Sequence, residues 1–198
     1  MKIILGITGS VAAVLTPKLI SALLDSGHEI KIIATSPALY FTKTQTLFDK
    51  RIIGGENGVH DWAEVFLDKD EWPEGGYHKN DTVRHINFRD WADVLLIAPL
   101  SANTLAKIAH GMADNFLCCT ARAWKKEKPL ILAPAMNTEM WIDPITNLQL
   151  TGLSARYQRL VIVDPISKIL ACGDEGLGAM AKIETIVEAV NHLDIQTK

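Results

Sequence analysis

Lys2-Ile3-Ile4-Leu5-Gly6-Ile7-Thr8-Gly9-Ser10-Val11-Ala12-Ala13 opens the chain just after Met1, and its reading decides the fold class. Residues 3–8 are apolar almost throughout, with no alternation of polar side chains. A strand covered by helices on both faces looks like this, because neither side meets water. The run breaks at Gly9, and residues 11–26 carry a helical pattern. Working outward, four further runs of the same kind occur at 29–34, 93–99, 129–135 and 160–165. Helical patterns at 101–113, 116–126 and 140–157 separate the later ones.

Buried strands alternating with helices predict right-handed βαβ units. The expected architecture is α/β: a three-layer, Rossmann-like or flavodoxin-like open parallel sheet with helices on both faces. In such sheets ligands bind beyond the carboxyl ends of the strands, where strand order switches. Chemistry is therefore sought in the residues that follow each strand.

The composition narrows the class. The 198 residues are 48% apolar and 22% charged, with 20 Lys+Arg against 23 Asp+Glu. A chain of this size buries about 70% of its unfolded surface, enough for one domain without metal or disulfide staples. The near-neutral charge gives no footprint for wrapping nucleic acid. No apolar run approaches the ~18 residues of a membrane span, and the first residues lack a signal-peptide layout. The three cysteines, with Cys118 and Cys119 adjacent, form neither a disulfide framework nor a spaced zinc site. The histidines show no pattern for metal ligation. A single cytoplasmic domain over residues 1–198 is expected.

Two regions break the rhythm. Residues 42–83 are rich in Gly, Asp, Glu and Lys. Their aromatic residues Trp62, Phe66, Trp72 and Tyr77 either anchor a surface excursion or pack on another subunit. Residues 166–182 read as a flexible glycine-rich loop carrying Cys172, able to open and close over a ligand.

After the first strand, Gly9, Ser10 and Val11 join a tight turn to a helix start, where orphan N–H groups favour a phosphate. The pattern is not Gly-x-Gly-x-x-Gly. The second strand ends in Thr35 and Ser36, with no acidic residue to hold an adenosine ribose. Those hydroxyls suit FMN better than NAD, although they also suit capping of the next turn. The third run ends in Ser101, Asn103 and Thr104; Ser101 reads as a helix N-cap, and the three together as a grip on a flavin's polar edge. Asp114 reads as the cap of the next helix. The fourth run ends in Ala135-Met136-Asn137-Thr138-Glu139-Met140-Trp141, where Asn137 caps a helix and its NH₂ can donate to a carboxylate. Met136, Met140 and Trp141 read as an apolar wall beside it. His85 sits among apolar residues, and Cys172 is a candidate acid or nucleophile on an accessible segment.

Jointly, Gly9-Ser10-Val11-Ala12, Pro99-Leu100-Ser101-Ala102-Asn103-Thr104, Pro134-Ala135-Met136-Asn137-Thr138-Glu139-Met140-Trp141 and Ala171-Cys172-Gly173-Asp174 resemble the flavin-containing cysteine decarboxylases, over nearly the whole chain. Within them the similarity is strongest to the enzymes that decarboxylate phosphopantothenoylcysteine in coenzyme A biosynthesis. The resemblance implies FMN held by Gly9, Ser10, Val11, Thr35, Ser36, Ser101, Asn103, Thr104 and Ala135. It implies catalysis by His85, Asn137 and Cys172, and contact with substrate by Asn137, Met140, Lys168 and Ala171. It also implies a homotrimer, or an assembly of trimers, with flavin at a subunit boundary. The implied chemistry is oxidation of the substrate to a thioaldehyde, loss of CO₂ to an enethiolate, and re-reduction with Cys172 as proton donor.

The chain departs from the family where relatives carry consecutive bases ahead of the cysteine: here Ser167-Lys168-Ile169-Leu170 leaves Lys168 alone. Two relatives from the same family are the alternatives. Peptidyl-cysteine decarboxylases lack the cysteine loop, and phosphatase-regulating members carry long acidic extensions that are absent here.

Overall fold

The computed structural model describes residues 1–42, 64–76, 78, 79, 81–169 and 175–193. Six parallel strands form one sheet: β1 (Lys2–Ile7), β2 (Glu29–Ala34), β3 (Glu64–Phe66), β4 (Val94–Leu100), β5 (Leu130–Pro134) and β6 (Leu160–Ile162), in the order β3-β2-β1-β4-β5-β6. All five expected runs are strands. The three-residue β3 is an addition, emerging from the polar excursion to pair Ile32 with Val65. With it the order is that of a doubly wound Rossmann sheet; without it, that of a flavodoxin.

Helices cover both faces. On one side Ile3, Leu5 and Ile7 join a core with α1 (Thr16–Asp25) and a late helix, here α9 (Ile183–Asn191). On the other, Ile4, Ile33, Leu95 and Ile97 pack against α4 (Arg84–Trp91), α5 (Ala102–Ala109), α6 (Phe116–Ala123) and α8 (Pro144–Arg156). Gly6 shows how closely the layers meet: a Cβ there would stand 2.7 Å from Leu117 Cδ1. Phe66, Phe88 and Phe116 stack edge-on across β3, α4 and α6, with centroids 4.7 and 5.1 Å apart. Phe66 thus anchors the excursion to its own chain. Trp72 remains half exposed, and Trp62 and Tyr77 lie outside the described residues.

Several expected helices start or stop for local reasons. The first begins as a 3-10 turn over Val11–Leu15 before Thr16-Pro17 starts α1. The last is two helices, α7 (Thr138–Ile142) and α8, because Asp143 caps Ile145 N and Pro144 takes the first helical position. Two short helices complete the set: α2 (Ser36–Phe41) and α3 (Asp68–Glu71). Among the described residues no helix is long and apolar enough to cross a membrane.

The segment expected as a loop at 166–182 is instead an antiparallel hairpin of β7 (Ile166–Ile169) and β8 (Glu175–Ala179). A glycine marks a bulge here: the register slips between Ile166 and Ser167, opposite Gly178. The tip with Cys172 and Ala171 lies outside the described residues.

Candidate functional site

The parallel ladder between β1 and β4 ends at the Gly6–Ile97 pair. Beyond it a side chain carries the connection. Thr8 Oγ1 donates to Pro99 O at 2.7 Å and accepts from Ser101 N at 2.7 Å. The chain leaves β1 for β2 on one side, while β4 lies on the other, so this is the switch point where a crevice opens. Thr8 is fully buried, and sequence reasoning passed over it as the last residue of the strand.

The expected cofactor residues gather round this opening. Gly9 must be glycine for packing: a Cβ would meet Pro37 Cβ at 2.6 Å, where α2 begins. Ser10 caps the turn at Val11 by accepting from Ala12 N at 3.4 Å. Val11 is exposed. Thr35 is buried and donates to Ile7 O at 3.3 Å, so it ties β2 to β1 instead of capping α2. Ser101 caps α5, accepting from Thr104 N at 3.3 Å, and its hydroxyl also donates to Thr104 Oγ1. Asn103 is exposed beside them. Ala135 is buried, its N–H donating to Leu100 O.

Those groups fit FMN. The polar groups at the strand ends are hydroxyls, an amide and helix-start N–H groups, all neutral. Thr8, Thr35, Ser36 and Ser101 donate within the chain, which leaves Ser10, Asn103, Thr104 and the N–H groups to meet a phosphate ester and the polar edge of a flavin. One carboxylate does reach the rim, from α3: Asp68 accepts from Ser36 Oγ at 3.3 Å. Its other oxygen accepts Phe116 N at 3.0 Å, capping α6. The expected cap Asp114 is instead paired with Lys107, which holds its carboxyl below the usual range. Asn115 takes the cap, accepting from Cys118 N at 2.8 Å.

The catalytic candidates fall in two places. Asn137 caps α7, its Oδ1 accepting from Glu139 N at 2.9 Å. That bond fixes the amide's orientation, and of its two ends the NH₂ is the one with the chemistry to donate to a carboxylate. The hairpin is seated on the same segment. Met136 N donates to Gly178 O at 3.0 Å, and a Cβ on Gly176 would stand 2.2 Å from Thr138 Oγ1. Met140 is exposed and Trp141 half-buried there, whereas Met136 packs on the core. Lys168 is exposed on β7.

His85 lies elsewhere, at the start of α4. Its backbone N–H donates to Glu71 Oε2 at 2.9 Å, and Nδ1 lies 2.5 Å from Glu71 Oε1. The Glu71 side chain is only 5% exposed. Nothing in the sequence marked Glu71, which sits in a run of acidic residues fourteen positions away. Of the other two cysteines, Cys118 is buried and Cys119 partly so, and burial pushes both thiols up to about 11. Neither is a nucleophile in this state.

The family model described as Flavoprotein matches residues 1–193. The chain belongs to this flavoprotein family. It is 44% identical over 190 residues to the phosphopantothenoylcysteine decarboxylase of Mus musculus, covering 96% of this chain and 85% of the mouse protein. Among solved structures, the flavoprotein is similar to a cysteine-to-serine mutant of PPC decarboxylase complexed with pantothenoylaminoethenethiol. That match has a TM-score of 0.83 and 38% identity over 98% of both chains. The FMN binding protein AtHal3 matches with a TM-score of 0.81 and 38% identity, over 100% of this chain and 98% of that one.

Proposed function

We propose that the chain is an FMN-dependent phosphopantothenoylcysteine decarboxylase, converting its substrate to 4′-phosphopantetheine in coenzyme A biosynthesis on one FMN-binding domain. The observation that carries this reading is the opening of the sheet at Thr8, lined by neutral donors, in a chain similar to PPC decarboxylase over nearly its whole length. FMN would be held by Gly9, Ser10 and Val11, by Thr35 and Ser36, by Ser101, Asn103 and Thr104, and by Ala135.

FMN, when bound, supplies a two-electron acceptor that takes a pair from the thiol-bearing carbon and returns it once CO₂ has left. The chain's residues orient and move protons. His85 accepts the thiol proton as the carbon is oxidised to a thioaldehyde. Asn137 grips the carboxylate, now β to C=S, so that the C–C pair flows to sulfur as CO₂ departs and an enethiolate forms. Cys172 gives a proton to carbon as the electron pair returns, and His85 returns its own to sulfur. The Cys172 proton is replaced from solvent, so one proton is consumed per CO₂ released. Met140 and Ala171 would wall the substrate, and Lys168 would meet its phosphate.

A homo-oligomer, expected to be a trimer or an assembly of trimers, belongs to the same proposal. His85 stands on the helix that covers β2 and β3, where Lys31 of β2 lies 5.1 Å from the Phe88 ring. Asn137 follows β5. Three strand spacings separate β2 from β5, about 14 Å. One cysteine headgroup is too small to bridge that strand spacing, which supports a site shared between subunits.

The purified protein should be yellow. With phosphopantothenoylcysteine it should give a product lighter by CO₂ alone, read by mass spectrometry. Colourless protein that takes up no FMN would overturn the proposal. A final product lighter by CO₂ and two hydrogens would point to the peptidyl-cysteine type of reaction.

A further inference from the structure

We propose that Glu71 is the positioning residue for His85: its carboxylate keeps the proton on Nδ1 and so leaves Nε2 as the ring nitrogen that exchanges protons with substrate. The inference rests on the proposed decarboxylase reading, and it concerns a residue that acts through His85.

Glu71 is a buried acid, and a buried carboxylate needs partners. Its two hydrogen-bond partners among the described residues belong to one residue: the backbone N–H of His85 at 2.9 Å and ring Nδ1 at 2.5 Å. The first bond has a structural reason. Val83 makes no side-chain cap for α4, and Glu71 accepts an N–H of its first turn from another element, an anion at a helix N-terminus. The second bond is not needed for capping. An ionised carboxylate only accepts, so the ring nitrogen facing it must carry hydrogen. Because the two oxygens are spent on backbone and ring of the same residue, the ring is held in both position and rotation about χ1. Nε2 has no partner among the described residues, and the side chain is 23% exposed.

The clamp is itself held. Glu71 ends α3, whose Asp70 accepts Leu67 N at 2.7 Å and whose Asp68 binds Ser36 and Phe116. The three acids of this short helix therefore tie down its own start, α2, α6 and α4. Movement of α3 would carry His85 with it.

Glu71→Gln separates capping from tautomer control. Its amide oxygen can still accept the His85 N–H, but its NH₂ then faces Nδ1 and donates to it, moving the ring proton to Nε2. The FMN-loaded variant should bind flavin as wild type does, with KM within about threefold and kcat lower by about 100-fold or more. Glu71→Asp, which keeps the carboxylate, should recover part of that loss. ¹⁵N spectra of histidine-labelled protein, with His85 assigned from a His85→Gln sample, give a readout apart from activity. Nδ1 should carry a proton in wild type and none in Glu71→Gln. A wild-type Nδ1 without a proton would overturn the proposal whether or not the variants fold, and so would a Glu71→Gln kcat within threefold of wild type. Wild-type protein that binds no FMN or leaves the substrate intact would instead sink the decarboxylase reading, while the ring spectra would still report on Glu71.

Discussion

Cys172→Ser divides the proposed reaction between its two halves. Serine has no acidic thiol, so the enethiolate formed by CO₂ loss would lack its proton donor. The variant should release CO₂ and stop with about one oxidised product per flavin, and its phosphopantetheine output should fall by about 100-fold or more. Mass spectrometry of the product, with loss of the yellow colour in the absence of air, checks this; normal phosphopantetheine output would remove Cys172 from the mechanism. At this scale the sequence exposed residues whose chemistry is local. Ser101 and Asn137 read as caps because a cap needs only a strand end and a helix start, and both are caps. Glu71 and Thr8 escaped because their partners lie across the fold, on α4 and on β4. Asp114 fails to cap for a related reason: two cap-competent residues stand side by side, and Lys107 on the preceding helix claims the carboxylate and leaves the cap to Asn115.

Elements were legible wherever burial was two-sided. The first four runs are strands because both faces lie under helices, and the fifth, β6 at the sheet edge, is only partly buried. β3 was not legible, since three residues in a polar stretch give no period to read. The hairpin of β7 and β8 was hidden by its glycines, two of which pack closely on the segment that carries Asn137. Gly178 has φ near +152°, and a Cβ there would lie 2.2 Å from Met136 O. Gly178→Ala should therefore cost about 1–3 kcal/mol in urea unfolding. Gly176→Ala, opposed by a side chain that can turn, should cost less; equal costs would mean the hairpin is not seated on the Asn137 segment as described. The link between α5 and α6 makes a prediction about pH. Lys107 donates to Asp114 and lowers its pKa in the folded state. Stability from this group is then present above the unfolded carboxyl's ~3.9 and lost as pH falls through the lower folded value. Lys107 is shifted upward, so its share disappears only as pH rises beyond its ordinary ~10.4. With Asp114 43% exposed, screening keeps the pair below about 1 kcal/mol. Asp114→Asn should cost that much at pH 7, and the gap to wild type should close below about pH 4. A gap that persists in acid would show that the ion pair is not its source.

For the whole molecule, the sheet order sets where catalysis can occur. The β1–β4 switch point gives one crevice per chain, yet His85 stands on the β2 side of it and Asn137 on the β5 side. Each is fixed to its own element: His85 by the carboxylate of Glu71, Asn137 by the cap of α7. Neither can cross the three strand spacings from β2 to β5 without breaking those bonds. In the proposed oligomer a second copy would bring the other residue, because a ring of subunits presents the same two unlike faces at every boundary. This arrangement makes a quantitative prediction. His85→Asn and Asn137→Asp should each be inactive as pure oligomers while retaining FMN. If the two are unfolded together, mixed equally and refolded with FMN, each boundary draws its His85 and its Asn137 from subunits chosen at random. About a quarter of boundaries should then carry both native residues, whatever the size of the ring. Steady-state decarboxylation should accordingly return to about one quarter of wild type, and to none when the two variants are mixed already folded without exchange. If the refolded mixture stays inactive while wild type treated in the same way recovers, His85 and Asn137 work within one chain, and the sheet must open by another route than the one its topology describes.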